Sequence, residues 1–553
     1  MTLMRDKPSG PRDYVFGRGY AWYALVLLML VYAFNLIDRM IVTILAGEIK
    51  ADLRLSDAEL GMLYGTFFAI FYALFGIPLG RLSDTWKRTR LLPIGLAGWS
   101  LMTLFTGLSN NLGQFALTRV GVGIGEATSG PAATSLLSDY FPRRMRGTAL
   151  ALYSCGVSIG IGVSLVLGGA IVDAWNAWYP DGQFPLGLKG WQVAFIVVAI
   201  PGMLLALLVA RLREPPRGVS DGIVQAPEPH PFRKSWQDFL AVVPPFTYYN
   251  FTAIRAPVRV WAFNFAALAV LAVLVALLSG YTNALVPLKP SHVYAEWYGF
   301  RITGNTAQWA SLAFGIFCIL SWAQSLACRD RPAYRLIFGT PTVMALVLAG
   351  ALFMTTTNGL MAWAPYFVVT RYHESISAVG LKFGTVAATA GLLGTALGGW
   401  LGDRLRRQSP RGRLYVSLFA MVLPAPVAWL TLTQPTIGRF LASFLLLGVI
   451  TTAWLPGILS TIQDLVLPRL RGLVYAVFVL GMTIIGLGTG PYLAGLMSDM
   501  SGDLGKALLS LYWLTPIILL IMVFAIRNVD RAERTMVERA EEAGERIERE
   551  PVR

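Results

Sequence analysis

Long apolar runs separated by short polar loops organise this chain. Each run is close to the roughly 20 residues that a helix needs to cross a bilayer. The runs cover residues 21–45, 58–79, 91–108, 113–138, 147–172, 192–210, 260–279, 307–327, 341–369, 379–401, 414–433, 438–465, 472–497 and 507–526. The pattern predicts an all-α membrane protein with about fourteen transmembrane helices. Ser56 and Glu59 form a capping-box pattern at the start of the second run.

Composition agrees with this prediction. Hydrophobic residues make up 55% of the 553 residues and charged residues 14%, against about 25% charged residues in typical soluble domains. The net charge of +15 is carried mainly by short loops between apolar runs, which argues against a nucleic-acid partner. The three cysteines form neither a disulfide framework nor a metal-binding spacing, so we predict no metal and no cofactor.

Basic residues mark every second loop. They cluster in residues 81–90, 143–146, 211–217, 404–413 and 469–471. The positive-inside rule makes those loops cytoplasmic and places both termini in the cytoplasm. We therefore expect a multi-pass protein of the plasma (inner) membrane.

The segment 214–340 separates two groups of six apolar runs. It begins with a proline-rich stretch and contains two further runs, which we interpret as a hairpin of two extra transmembrane helices. Helices lying on the membrane surface are the alternative, but residues 260–279 lack a polar face. The expected division is a cytoplasmic N-terminal segment (1–20), a six-helix bundle (21–213), the central linker (214–340), a second six-helix bundle (341–527) and a charged cytoplasmic tail (528–553).

The two bundles share an internal repeat. One set of residues recurs 325 positions later: Pro131, Ser135, Asp139, Arg146 and Gly147 correspond to Pro456, Ser460, Asp464, Arg471 and Gly472. Residues 80–84 (GRLSD) similarly match residues 399–403 (GWLGD). Equivalent positions on the same membrane side indicate a parallel repeat of two bundles.

These motifs resemble those of the major facilitator superfamily. Residues 80–90 read GRLSDTWKRTR and are similar to its signature loop, although Lys87 replaces the usual second glycine. The resemblance implies a fold of two six-helix bundles and a cytoplasmic gate. The gate residues expected from this loop and its second-half match are Gly80, Asp84, Arg88, Arg90, Asp403 and Arg404.

Further stretches resemble the spinster branch of that superfamily. They are NLIDRM at 35–40, RVGVGIGEA at 119–127, GWQVAF at 190–195, REPPRG at 213–218 and GLGTGP at 486–491. The resemblance implies a substrate that is a lipid-like amphiphile such as a lysophospholipid or sphingoid phosphate, in some relatives with proton coupling. The extra central runs depart from the twelve-helix family pattern.

Four charged residues lie inside apolar runs, namely Asp38, Arg39, Arg119 and Glu126. A charge at mid-helix costs roughly 2.5–3.5 kcal/mol on insertion scales, so each is a functional candidate. Because the resemblance makes the first and fourth spans neighbours, we expect Asp38 to meet Arg119 or Glu126. Asp38 and Glu126 would carry protons, and Arg119 would be their counter-charge or would hold an anionic head group. The alternative is a permanent structural ion pair, and Arg39 could extend towards the interface instead.

Weaker candidates complete the site. Asn35, Asn358, Thr451 and Trp454 are candidates for the cavity wall, with packing roles as the alternative. The pairs Gly156–Gly160 and Gly121–Gly125 have the spacing of close helix packing.

The sequence as a whole predicts a monomeric secondary active transporter that works by alternating access with proton coupling. Its expected partners are protons, membrane lipid and a small amphiphilic, anionic substrate. A multidrug or organic-anion exporter is the alternative. We do not expect an enzyme, because HExxH and Walker-type motifs are absent from the sequence.

Overall fold

The computed structural model describes residues 14–218, 229–286, 292–297, 299–409 and 411–545. All fourteen predicted runs are helical. The helices are α1 (Arg18–Ile44), α2 (Asp57–Thr85), α3 (Arg88–Thr106), α4 (Leu112–Glu126 and Ser129–Tyr140), α5 (Arg143–Trp178), α6 (Gly190–Val209), α7 (Val258–Leu285), α8 (Gly304–Arg329), α9 (Pro341–Tyr372), α10 (Ile376–Arg406), α11 (Gly412–Leu432), α12 (Ile437–Asp464), α13 (Pro468–Ser501) and α14 (Leu504–Arg534). Among the described residues, twelve of these helices, all but α3 and α4, are long and apolar enough to cross a membrane. The all-α prediction is confirmed.

Several shorter elements connect the long helices. The short α-helices are Ala46–Leu53, Pro231–Val242, Phe246–Ala253, Arg331–Ile337 and Met536–Glu542. A strand pair that the sequence pattern did not reveal lies between α7 and α8, where β1 (Val293–Trp297) runs antiparallel to β2 (Phe300–Thr303). Its strands are too short to produce a clear alternating pattern. Residues 1–13 of the expected N-terminal segment and 546–553 of the expected tail lie outside the described residues, as do parts of the central linker.

Helix α2 begins at the predicted capping box. The backbone N–H of Glu59 donates to Oγ of Ser56 at 3.1 Å, and the N–H of Ser56 donates to Oε2 of Glu59 at 3.0 Å. Two otherwise unsatisfied N–H groups at the helix start are paired in this way. The cap fixes where α2 enters the bundle.

The repeat is visible in three dimensions. A Cβ atom built on Gly80 would lie 3.9 Å from Pro131, and one built on Gly399 would lie 3.9 Å from Pro456. Both pairs join the second helix of a half to its fourth helix. We call the first half α1–α6 and the second half α9–α14, and matching contacts at matching positions support their common architecture.

The described contacts that join the two halves concentrate at one end of the bundle. We call this end the far side. The opposite end carries Arg88 and Arg413, and we call it the basic side. A Cβ on Gly61 of α2 would lie 2.2 Å from the Pro491 carbonyl oxygen of α13, and a Cβ on Gly380 of α10 would lie 2.3 Å from the Leu165 carbonyl oxygen of α5. Such close approaches are possible only for glycine.

Polar contacts reinforce the closed far side. The Asp499 carboxylate at the end of α13 accepts hydrogen bonds from the backbone N–H groups of Asp57 and Ala58, at 2.9 and 2.8 Å. A carboxylate at the N-terminus of α2 also interacts favourably with the helix dipole. On α5, Asp173 accepts a hydrogen bond of 2.7 Å from the Ser377 hydroxyl at the start of α10. Both contacts bridge the halves.

The glycines of α5 pack as predicted. A Cβ on Gly156 would lie 2.5 Å from the Met29 carbonyl oxygen, and one on Gly160 would lie 2.4 Å from that of Ala33. These glycines allow α5 to lie directly against α1. The Gly121–Gly125 pair likewise faces neighbouring side chains of α3.

Candidate functional site

Charged side chains meet inside the first half, between α1 and α4. Nε of Arg39 lies 2.7 Å from Oε2 of Glu126. The Glu126 side chain is fully buried, and the Arg39 side chain is 20% exposed. The alternative in which Arg39 extends towards the interface is not found in this structure, because its guanidinium points inward to the carboxylate.

Asp38 and Arg119 lie beside this pair. Nη1 of Arg119 donates to the backbone carbonyl of Asp38 at 3.3 Å, not to its carboxylate. Both residues are almost completely buried. The predicted meeting of α1 with Arg119 is therefore found, but it runs through the backbone. The carboxylate of α4 pairs with Arg39 of α1.

Aromatic rings of α2 line the other face of the two guanidinium groups. The Cζ atom of Arg39 lies 4.4 Å from the Phe68 ring centroid and 4.7 Å from that of Tyr72. The Cζ atom of Arg119 lies 5.4 Å from the Phe68 centroid. A ring face attracts a cation, so α2 helps to hold positive charge in an apolar region.

Glycine lets α4 reach these rings. A Cβ built on Gly123 would lie 2.6 Å from the Phe68 carbonyl oxygen. Gly123 is thus required for the close packing of α4 on α2. The packing places Arg119 and Glu126, two helical turns apart, against the aromatic pair.

Several buried polar atoms of this cluster have no protein hydrogen-bond partner. They are Nδ2 of Asn35, Oδ1 of Asp38, Nε1 of Trp99, Nε and Nη2 of Arg119, and Oε1 of Glu126. Unpaired buried polar atoms are rare because each costs about 1–3 kcal/mol. Donors and acceptors are both free here, so the cluster can exchange a proton or bind a polar group. Asn35, expected at the cavity wall, is part of it.

The sequence pattern missed the aromatic members of the site. Phe68, Tyr72 and Trp99 lie in apolar runs where an aromatic residue usually indicates packing. The spacing of Phe68 and Tyr72, four residues apart on one helix face, is the only local signal. Arg39, in contrast, was visible in the sequence as one of the four charged residues inside apolar runs.

The other cavity candidates have different surroundings. Trp454 is buried in the core of the second half, where its ring contacts Phe353 and Phe478 at centroid distances of 5.4 and 6.1 Å. This burial agrees with the packing role that was the alternative to a place at the cavity wall. The half-buried Thr451 bonds its own helix at the Gly448 carbonyl, 3.1 Å away. Nδ2 of Asn358, also half-buried, is 3.9 Å from Sδ of Met354.

On the basic side, Arg88 organises the signature loop. Its fully buried guanidinium donates to Asp139 and Ser135 of α4 and, through Nε at 2.8 Å, to Glu214. Nη2 also donates to the Pro215 carbonyl at 2.9 Å. All of these partners belong to the first half or to the residues that directly follow it in the chain. Arg88 therefore holds the loop to its own half in this conformation.

The second half repeats this arrangement in a more open form. Arg413, 325 positions after Arg88, donates to Asp464 at 3.0 Å and to Asp403 at 2.8 Å. The Arg404 guanidinium lies 5.5 Å from the Trp400 ring centroid. The remaining gate candidates of the first half, Asp84 and Arg90, are exposed, and Gly80 is half-buried against Pro131.

Comparison with known proteins gives one consistent family. A sequence profile of the Major Facilitator Superfamily matches residues 28–370 and 346–551. The chain is 27% identical over 501 residues to a protein of Mycolicibacterium smegmatis named MFS-type efflux pump, and the match covers 89% of each protein. It is 24% identical to human protein spinster homolog 1, over 86% of this chain and 73% of that protein.

Solved structures agree on the fold. A bacterial homologue of the human lysosomal transporter Spinster, in an inward-facing and unoccupied conformation, superposes with a TM-score of 0.63. That alignment has 24% sequence identity and covers 95% of this chain and 99% of the other. A peptide transporter solved with sulfate has a TM-score of 0.60 at 13% identity, over 95% and 97% of the two chains.

Proposed function

Since the chain belongs to the Major Facilitator Superfamily and is a secondary transporter rather than an enzyme, we propose that it couples proton movement to transport of an anionic amphiphile by alternating access. The observation that carries this proposal is the buried cluster of Asp38, Arg39, Arg119 and Glu126. It contains two carboxylates and two guanidinium groups, so it is electrically neutral when all four are ionised.

Neutrality gives a simple coupling rule. Protonation of either carboxylate leaves the cluster with one net positive charge in a region of low dielectric constant. An unpaired buried charge is costly, so the cluster then attracts an anion. The free Nε and Nη2 atoms of Arg119 are positioned to donate to an anionic head group. One proton and one anion can in this way be bound together.

Proton affinity depends on conformation through the pair of Arg39 and Glu126, because these residues belong to different helices, α1 and α4. A pair that forms in only one conformation links proton affinity to that conformation. The far-side contacts between the halves are those expected of a state closed to the outside. This orientation follows from the positive-inside rule, which makes the basic side and both termini cytoplasmic in a plasma (inner) membrane.

The apolar part of the substrate has a path in this proposal. A groove of about 510 Å³ runs between α5 and α10, and its lining includes Ile159, Val163, Leu167 and Leu381. Its lining is mainly aliphatic, with Ser158 and Thr385 as its polar side chains, which suits an acyl or alkyl chain. Similarity to proteins named spinster is consistent with a lysophospholipid or sphingoid phosphate as substrate. The transporter works as a monomer in this proposal, with α7 and α8 as two additional spanning helices.

Proton-driven uptake by purified protein in liposomes tests the proposal. A fluorescent lysophospholipid is supplied with and without a pH gradient to the native protein and to the variants Asp38→Asn and Glu126→Gln. The matched control is Glu374→Gln, because Glu374 pairs with Lys382 outside the buried cluster. We expect gradient-driven uptake to fall at least tenfold in both cluster variants only. Unchanged uptake in both would rule out their proton role.

Efflux of drugs or organic anions is the second candidate. The observation that favours it is the match to the M. smegmatis protein named MFS-type efflux pump, which covers 89% of both chains. The same liposomes distinguish the two candidates when the lysophospholipid is replaced by a cationic dye. Transport of the dye without transport of the lysophospholipid would favour the exporter.

A further inference from the structure

Helix α8 of the central segment (214–340) lies in the seam between the two halves. Gly315 marks the contact, since a Cβ built on it would lie 3.3 Å from Ile484 of α13 and 3.4 Å from Ile70 of α2. The Phe314 ring packs on that of Phe71, with centroids 6.3 Å apart. A single helix of the central segment therefore contacts both halves at the same level.

A buried polar contact joins the three elements. Gln308 of α8 is fully buried, and its Nε2 donates to the carbonyl oxygen of Gly488 in α13 at 2.9 Å. The buried Thr66 hydroxyl of α2 lies within hydrogen-bonding distance of both Oε1 of Gln308 and the Gly488 carbonyl, the latter at 2.7 Å. One side chain of the central segment thus bridges one residue from each half.

The irregular backbone of α13 explains why the Gly488 carbonyl oxygen accepts hydrogen bonds from other helices. A π-helical turn spans Met482–Leu487 directly before Gly488, so the regular i to i−4 hydrogen-bond ladder is interrupted there. Such irregular turns leave backbone groups that must be satisfied by neighbours in a membrane. Gln308 and Thr66 supply those donors.

The central segment is also attached to both halves near the two ends of the seam. On the far side, the Tyr492 hydroxyl of α13 donates to Asn305 at 2.9 Å, and the Tyr294 hydroxyl of β1 donates to Glu59 of α2 at 2.5 Å.

On the basic side, the Ser235 hydroxyl donates to the Pro78 carbonyl of α2 at 2.6 Å. There Asp330 pairs with Arg469 of α13 at 2.9 Å. The central segment thus contacts both halves at each end of the seam, and we call this arrangement a clamp.

We propose that the central segment is a clamp that stabilises the state closed on the far side, with Gln308 as its positioning residue. Opening the far side requires α2 to move away from α13, and Gln308 cannot keep both partners during that movement. The proposal rests on alternating access as part of the proposed function. It does not depend on the substrate or on the proton.

Distance measurements between spin labels test the clamp. Labels are placed at Ala51→Cys and Ser501→Cys, two exposed positions at the far ends of the two halves, after Cys155, Cys318 and Cys328 have been replaced. Gln308→Leu removes the hydrogen bonds at similar volume. We expect the ratio of long-distance to short-distance populations to rise about tenfold.

The matched control lies on the same helix. Oε1 of Gln324 accepts from Asn264 of α7 at 3.2 Å, which is a contact inside the central segment. Gln324→Leu should leave the distance distribution unchanged. Thr66→Val should shift it in the same direction as Gln308→Leu, and the double variant should shift it by less than the product of the two effects, because the two residues share one contact.

The outcomes separate the two proposals. A distribution in Gln308→Leu and Thr66→Val that matches the native protein would overturn the clamp, and so would an equal shift in Gln324→Leu. Absence of proton-driven uptake by the native protein would instead contradict the proposed function, while the distance shift would still be expected.

Discussion

Nε of Arg39 donates a hydrogen bond of 2.7 Å to Oε2 of Glu126, which joins α1 to α4 through a side-chain pair whose acid is fully buried. Such a pair contributes little net stability compared with apolar packing, yet its disruption is costly because one charge is left alone. The pair is therefore more informative about function than about the stability of the fold.

This asymmetry predicts the behaviour of variants at Arg39. We expect Arg39→Leu to lower the free energy of unfolding by about 3–5 kcal/mol, because Glu126 becomes an uncompensated buried charge. The double variant Arg39→Leu/Glu126→Gln should recover most of that loss. Thermal unfolding of the purified protein in detergent provides the measurement. Failure of the double variant to recover stability would contradict an ion-pair origin of the loss.

Arg88 and Arg413 occupy equivalent repeat positions with different burial. The Arg88 side chain has no exposed surface, whereas that of Arg413 is 22% exposed and its partner Asp403 is 66% exposed. We predict that Arg88→Ala destabilises the protein by about 3–5 kcal/mol and Arg413→Ala by about 1 kcal/mol or less.

The same unfolding measurement compares the two variants. Arg88→Lys should rescue little, since an ammonium group cannot reproduce the fixed geometry of several guanidinium donors. Equal losses of unfolding free energy in the two alanine variants would contradict this prediction, because the two repeat positions would then contribute equally to stability.

The fold was predictable because its signal is repeated along the chain. Each apolar run is long, and the 325-residue offset pairs Asp139 with Asp464 in sequence and in contacts. The strand pair β1–β2 was not predictable because four or five residues carry too little pattern. Local periodicity also contains no information about Gln308 meeting Gly488, which depends on how distant helices pack.

The site was predictable in its charges and not in their pairing. Charges inside an apolar run indicate function by their cost alone, which identified Asp38, Arg119 and Glu126. Which arginine meets Glu126 depends on helix rotation, and two adjacent residues of α1, Asp38 and Arg39, both reach α4. The rings of Phe68 and Tyr72 are indistinguishable in sequence from ordinary packing residues.

Glu48, on the short far-side helix Ala46–Leu53, predicts a pH effect on stability. Partial burial raises the pKa of the Glu48 carboxyl, the carboxylates of Asp173 and Asp52 raise it further, and Lys189 lowers it. A raised pKa in the folded state means that ionisation opposes folding at neutral pH. We expect Glu48→Gln to be more thermostable than the native protein at neutral pH.

The sign of this effect sets its pH range. As the pH falls through the raised pKa, the native Glu48 becomes protonated and the advantage of Glu48→Gln should disappear. Thermal unfolding between pH 4 and pH 8 measures the difference, with Glu374→Gln as the control for loss of one negative charge. A gain that stays constant down to the lowest pH would contradict the assignment to Glu48.

The seam between α5 and α10 predicts a steric effect on alternating access. A Cβ on Gly380 would lie 2.3 Å from the Leu165 carbonyl oxygen, so Gly380→Ala is incompatible with the observed far-side contact. Inserting atoms into a packed contact costs about 1–3 kcal/mol, which corresponds to a change of roughly fivefold or more in a population ratio. We therefore expect Gly380→Ala to favour opening on the far side.

Gly391 of the same helix is the matched control, since a Cβ there would meet nothing within 4 Å. Spin labels at Trp178→Cys and Arg371→Cys, both exposed near the far ends of the two halves, report the separation between those ends. Gly380→Ala should increase the long-distance population and Gly391→Ala should not, although both changes raise helix propensity by about 1 kcal/mol. An equal increase of the long-distance population in the two variants would mean that helix propensity causes the effect. It would contradict a steric role of Gly380 in closing the far side.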